Sequence, residues 1–186
     1  MAAMVPEEQL AETEHGLVAQ GGGWFVLNAR DSRWRDRPGR GKLCDLEGDA
    51  DFPEVGVFID VLAPGETMAM YHWESDQEDY LVISGHPLLL VDEQERQLKP
   101  WDFVHTPAGV PHVLMGAGEG PSVIVAIGAR EHQNGPGWGA YPASELAQRH
   151  GVGVGVEQDT NDADIAYAKF DESRPAGYRD GWLPEG

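Results

Sequence analysis

Between residues 24 and 127, apolar residues come in short runs separated by turn residues. The runs are Trp24 to Asn28, Val55 to Leu62, Thr67 to Trp73, Tyr80 to Ile83, Pro87 to Val91, Trp101 to His105, His112 to Met115 and Ser122 to Ile127. Pro64-Gly65, Ser84-Gly85, Pro107-Ala108-Gly109 and the stretch Gly116 to Pro121 bound them. Short runs rich in Val, Ile, Tyr and Phe fit a pleated, half-buried surface, so each predicts a strand. Their even spacing predicts an all-β antiparallel sandwich or barrel. The flanks are patterned differently. Pro6 to Leu17, Glu-rich with Leu10 and Val18 among polar residues, predicts a short helix opening after Pro6 and ended by Gly21-Gly22-Gly23. Beyond Arg130, Gln133 to Gly139 reads as a Gly-rich loop, and Glu145 to His150 as a short helix capped by Ser144 and closed by Gly151. From Val152 to Gly186 there is little periodicity, but Tyr167, Phe170, Tyr178 and Trp182 predict an arm packed on a surface, its own or that of a second subunit. The expected organisation is an N-terminal helix with extension strands over 1–54, a barrel over 55–130 and a C-terminal arm over 131–186. No internal repeat is visible.

Composition narrows the partners. A chain of 186 residues suits one domain with appended arms. Lys and Arg number 13 against 32 Asp and Glu, a formal net charge of −19. Such an excess of acid repels phosphate backbones and anionic membrane faces, so neither nucleic acid nor a membrane is expected as partner. The most basic stretch runs from Arg30 to Lys42 and holds Arg33, Arg35, Arg37 and Arg40. It is broken by Gly and Pro and carries Asp31 and Asp36, which reads as a loop rather than a binding groove. Cys44 is the single cysteine and forms no intramolecular disulfide. The first residues lack a basic start and an apolar stretch, and no run approaches the roughly 20 apolar residues of a membrane span. The expected location is cytoplasmic. Gly-x-Gly-x-x-Gly, Gly-x-x-x-x-Gly-Lys and Gly-x-Ser-x-Gly are all missing from the chain, so nucleotide and serine-hydrolase chemistry have no local support.

Candidate chemistry concentrates in two stretches. Strand alternation over Thr67 to Glu74 puts Met68, Met70, His72 and Glu74 on one face. An imidazole and a carboxylate turned toward an apolar interior are costly unless something satisfies them. Glu78 follows a polar turn, Ser75-Asp76-Gln77, that can carry its carboxylate back beside His72. The second stretch, Pro107 to His112, is a tight turn that delivers His112 at the start of a strand whose face continues to Leu114. If the two strands adjoin, His72, Glu74, Glu78 and His112 converge on one ion. Met68, Met70 and Leu114 then line the pocket, and His105 is a further wall residue. His15, His86, His132 and His150 read as solvent histidines, and Tyr71, Trp73 and Tyr80 as packing or dimer contacts.

These residues resemble the two motifs of the cupins. Gly65, His72-Trp73-Glu74, Glu78 and Gly85 are similar to the first motif, and Trp101, Pro107, Gly109, His112 and Gly116 fall in register with the second; 15 residues separate Gly85 from Trp101. Glu74 stands where the family usually has its second histidine, Trp101 replaces a glycine, Gly116 replaces an asparagine, and the spacer from Gly65 to His72 has six residues rather than five. The resemblance implies a double-stranded β-helix (jelly-roll) barrel, a homodimer, and a divalent metal held by His72, Glu78 and His112. Glu74 is either a fourth ligand or a free catalytic base beside the ion. A site rich in carboxylate favours Fe(II) or Mn(II), with Zn or Ni as alternatives. The expected function is a metal-dependent enzyme on a small organic molecule, of dioxygenase, isomerase or decarboxylase type. The alternative is a small-molecule binding or sensing protein without turnover.

Overall fold

The computed structural model describes residues 4–50, 52–132, 135–155 and 159–185. In chain order the elements are β1 (Ala11–Thr13), β2 (Gly16–Val18), β3 (Arg33–Asp36), β4 (Lys42–Asp45), β5 (Val55–Leu62), β6 (Trp73–Glu74), β7 (Glu78–Ser84), β8 (Leu88–Val91), β9 (Gln94–Gln97), β10 (Phe103–Thr106), β11 (His112–Met115), β12 (Ser122–Ala129), β13 (Gly139–Ala140), α1 (Glu145–Arg149), α2 (Ala163–Tyr167) and β14 (Arg174–Gly177). A seven-stranded antiparallel sheet, ordered β10-β7-β12-β5-β4-β3-β14, faces a three-stranded sheet ordered β11-β8-β9. The expected all-β barrel is therefore present. Alternation decides which side chains meet inside it. Leu62, Tyr80, Val82, Ile124 and Ala126 from the large sheet pack against Leu89 and Leu114 from the small one.

The opposite face of the large sheet is covered by the chain's own ends. Val61 and Val123 pack with Cys44 and with Trp34, which is fully buried under Tyr178 and Trp182 at ring-centre distances of 6.0 and 5.2 Å. The C-terminal arm therefore packs on its own subunit, and β14 returns to extend the main sheet beside β3. Helix α1 covers the small sheet, placing Leu146 and Ala147 against Tyr71, Leu90 and Val113. As expected, Ser144 caps α1 by accepting from the Ala147 N–H at 3.0 Å, and Gly151 closes it with φ +70°.

Three expectations for the stretch before Val55 fail. Pro6 to Leu17 is not a helix but leads into the hairpin β1–β2. Glu8 accepts there from the N–H groups of Gln20 and Gly21 at 2.5 and 2.7 Å, and Gly16, at φ +127°, lies where a Cβ would meet the Ser32 backbone at 2.6 Å. These long-range contacts override a local helix preference. Among the described residues Trp24 to Asn28 makes one bridge, from Trp24 to Glu7. Arg30 to Lys42 is not a loop; it supplies β3, where charged residues alternate around buried Trp34, and leads into β4. Of the Gly-rich stretch from Gln133 to Gly139, residues 133 and 134 lie outside the described residues.

Candidate metal centre

His72 and His112 sit opposite one another across an antiparallel bridge, with backbone N–H donations of 3.2 and 2.7 Å in the two directions. Their ring centres are 5.1 Å apart. Each ring is fixed by its own backbone. His72 Nδ1 lies 2.8 Å from the Met70 carbonyl and His112 Nδ1 lies 2.9 Å from that of Val110. A carbonyl only accepts, so Nδ1 carries the proton in both neutral rings and Nε2 keeps the lone pair; in His112 that lone pair accepts from the Tyr80 hydroxyl at 2.7 Å, a bond an ion would replace. Glu78 opens β7, where the Thr106 hydroxyl donates to its carbonyl at 2.6 Å. Its Oε2 lies 3.2 Å from His112 Nε2 and 3.6 Å from His72 Nε2. Donor atoms from His72, Glu78 and His112 all fall within 4.8 Å of one another.

That arrangement fits a divalent ion. Glu78 Oε2 is buried, and while both rings are neutral no described residue donates to it, a costly state for a carboxylate oxygen unless a ring proton or a cation satisfies it. Two imidazoles and a carboxylate are also a donor set that Fe, Mn and Zn accept. The electrostatics agree. Burial pushes the Glu78 carboxyl up, but His112 and His72 beside it win and hold it well below the usual carboxylate range. Burial pushes His72 down, but Glu74 and Glu78 hold it well above the ordinary histidine value. The protein therefore gathers positive charge where the two carboxylates approach each other.

Glu74 is placed differently. β6 pairs with β13, and Glu74 Oε1 lies 3.5 Å from His72 Nε2, outside the group of three ligand atoms. Its side chain is one-third exposed and borders two adjoining cavities. The inner cavity, about 310 Å³, is bounded by Phe58, Met68, His72, Glu74, Glu78 and Tyr80. The outer one, about 540 Å³, shares Phe58, Glu74 and Glu78 with it.

The remaining expected residues divide. Met68 does line the inner cavity. Met70 does not: the chain bends at Met68 and Ala69, strand alternation lapses, and Met70 packs instead with Tyr141, Val154 and Ala166. Leu114 is wholly buried in the barrel core without bordering the cavity. His105 turns to the outer face of β10, exposed and 2.7 Å from Asp79 Oδ1, because its partner in the register is Asp79 rather than inward Tyr80. Asp76 accepts from the His132 backbone N–H, and its other oxygen lies 2.8 Å from His132 Nδ1. Sequence reasoning assigned Tyr80 to packing, yet its hydroxyl lies 2.7 Å from His112 Nε2. Counting two residues on from Glu78 along β7 would have put it on the same face. Arg37, Arg40, Asp60 and Tyr167 also reach the inner cavity. The sequence signals were an aspartate within the otherwise apolar run Val55 to Leu62 and the basic stretch and arm aromatics that hold the others, none of which pointed to this cavity.

Residues 58–128, which contain His72, Glu74, Glu78 and His112, match the family model of the Cupin domain. No curated protein matches the chain. Among solved structures, a sugar phosphate isomerase from a cupin superfamily of Silicibacter pomeroyi is 23% identical, over 56% of this chain and 63% of that one, with TM-score 0.45. An RmlC-like cupin family protein with a double-stranded β-helix fold from Methanocaldococcus jannaschii is 18% identical, over 44% and 74%, with TM-score 0.40. A predicted oxalate decarboxylase from Thermotoga maritima is 16% identical, over 56% of this chain and 98% of that one, with TM-score 0.50. The chain spans 52% and 63% of the length of the two sugar phosphate isomerase structures it matches. Likeness at this level concerns the fold.

Proposed function

From the premise that the chain belongs to the cupin superfamily through residues 58–128, we propose that it is a metal-dependent enzyme acting on a small organic molecule. The observation that carries this reading is the cluster of His72, Glu78 and His112, with both Nε2 atoms beside one buried carboxylate oxygen at the wall of a cavity. These three residues would hold the ion. A bound divalent ion supplies Lewis acidity toward substrate oxygens and, if redox-active, oxygen chemistry. Fe(II) or Mn(II) suits the donor set best, with Zn or Ni as alternatives.

The chain's own side chains define the rest. Glu74 borders the cavity within 3.5 Å of His72 Nε2 without joining the three-atom group, so it serves as the general base that takes a proton from a substrate carbon or hydroxyl. Burial, followed by the Glu78 charge, raises the Tyr80 hydroxyl well above its ordinary pKa. Tyr80 therefore stays protonated and acts as a hydrogen-bond donor inside the cavity. Phe58 and Met68 give the cavity part of an apolar wall. The same reading includes a homodimer, supported by exposed Trp101 and Phe103 beside edge strand β10.

Elemental analysis of the purified protein tests the metal, and Glu74→Gln tests the base. About one equivalent of Fe or Mn is expected. In Glu74→Gln, metal content should persist while turnover of any identified substrate falls by roughly 10²-fold or more. A protein that gains no thermal stability from any divalent ion would overturn the reading.

A further inference from the structure

The inner cavity has a second chemical half, supplied by the basic stretch that composition alone left without a role. The turn Arg37-Pro38-Gly39-Arg40-Gly41 joins β3 to β4. Arg37 donates its N–H to the Gly41 carbonyl at 2.9 Å, and Arg40 donates to that of Arg37 at 2.7 Å. Gly41, at φ +71°, presses so closely on β5 that a Cβ would meet the Val61 carbonyl oxygen, and a Cβ on Gly39 would meet the Phe170 ring at 3.0 Å. Held from both sides, the turn presents Arg37 and Arg40 to the cavity that His72, Glu74 and Glu78 share.

The two guanidinium groups differ in their partners. Arg37 is buried and forms an ion pair with Asp60, itself buried on the inner face of β5. Arg40 forms no ion pair among the described residues. Its Cζ lies 4.7 Å from the ring centre of Tyr167 and 5.6 Å from that of Phe170, and its Nε is buried without a hydrogen-bond acceptor. Burial and then the adjacent Arg37 charge lower its pKa, and Tyr167 and Tyr141, neutral phenols rather than counterions, offset this only in part. Charge balance points the same way. Asp60 answers Arg37, and a divalent ion at the centre would answer Glu74 and Glu78. Asp60 also feels the Arg40 charge, but one carboxylate cannot offset two guanidinium groups, so one excess positive charge remains in the small cavity. A guanidinium stacked on aromatic rings keeps its edge N–H groups free for a planar oxyanion.

We propose that the cavity takes a small carboxylate, with Arg40 binding the carboxylate group while the remainder of the molecule reaches the centre formed by His72, Glu78 and His112. A single charge and a planar fork favour a carboxylate over a phosphate dianion. The assignment rests on the proposed metal-dependent function for the same cavity, and its test is separable from that reading.

Titration calorimetry on protein loaded with Mn(II) would use 3-hydroxypropanoate and 4-hydroxybutanoate, their amides as neutral counterparts, and inorganic phosphate. At least one acid should bind roughly tenfold or more tightly than its amide, the size expected for a charge-assisted hydrogen bond. Arg40→Met should bring acid and amide within about twofold of each other, with Mn(II) content and melting temperature unchanged; Arg40→Lys should retain part of the preference. If Arg40→Met fails to fold, Arg40→Gln is read in its place. Equal binding of acid and amide by the wild type, a preference that survives in Arg40→Met, or phosphate binding tighter than both acids would each overturn the proposal. If the wild type takes up no metal, the proposed function fails, and the comparison of acid with amide on the metal-free protein still decides the role of Arg40.

Discussion

A histidine ring becomes a useful ligand when one nitrogen is occupied, and in this protein both rings are fixed by carbonyls two residues back in the chain, those of Met70 and Val110. His112→Ala should therefore abolish stoichiometric metal uptake, while His86→Ala, exposed and remote from the cluster, should leave it intact; elemental analysis of both variants checks this. Protons compete for the same position. His72 has a folded pKa raised above its unfolded value of about 6.5, so its contribution to stability is fully present below that value and is lost as pH rises through the raised folded one. Melting temperatures of the chelator-treated protein should fall from about pH 6.5 upward, and the fall should flatten in His72→Gln. Buried Asp60 yields a further expectation at this scale. Asp60→Ala would leave the Arg37 guanidinium buried without its partner, at a cost of about 3–5 kcal/mol measurable by denaturant unfolding. Residue chemistry was legible for His72, Glu78 and His112 because motif spacing carries it. It was not legible for Arg40, whose neighbours Tyr167 and Phe170 lie more than a hundred positions along the chain.

Among elements, those whose pattern depends on near neighbours were the ones that could be read. β11 runs over His112–Met115 as its apolar run suggests, and α1 carries both its Ser144 cap and its closing glycine. β3 escaped notice because counting its charges concealed the alternation Arg33-Trp34-Arg35-Asp36, in which only Trp34 is buried. That residue ties together the large sheet and the C-terminal arm. Trp34→Ala should accordingly destabilise the protein by about 3–5 kcal/mol, read from chemical denaturation, and should expose the arm to limited proteolysis. The stretch Thr67 to Trp73 shows the opposite failure. Its pattern alternates like a strand, but Thr67 bridges Met115 and His72 bridges His112 with a bend between them, which brings Met68 inward and sends Met70 under the arm.

For the whole molecule, the formal charge of −19 separates into exterior acids and a few carboxylates turned inward. Asp60 is matched by Arg37, whereas Glu74 and Glu78 flank His72 and await a cation. A divalent ion should therefore raise the melting temperature in a concentration-dependent manner, as mass action requires of any ligand that binds only the folded state. Light scattering should give the mass of a dimer, and a charged substitution at Phe103, 62% exposed at the sheet edge, should shift it toward that of a monomer. By itself the sequence determined most of the barrel strands from Val55 onward, though not the bend at Thr67 to His72 or strand β9, together with the helix capped by Ser144 and the spacing of two histidines and a glutamate, because period-two patterns, caps and tight turns are local physics. Only the tertiary structure decided that Glu74 stands beside the three-residue cluster, that His105 faces solvent, and that Arg40 enters the same cavity. Those outcomes depend on strand register, on a bend in the chain and on the packing of both ends over one sheet, and no local pattern encodes them.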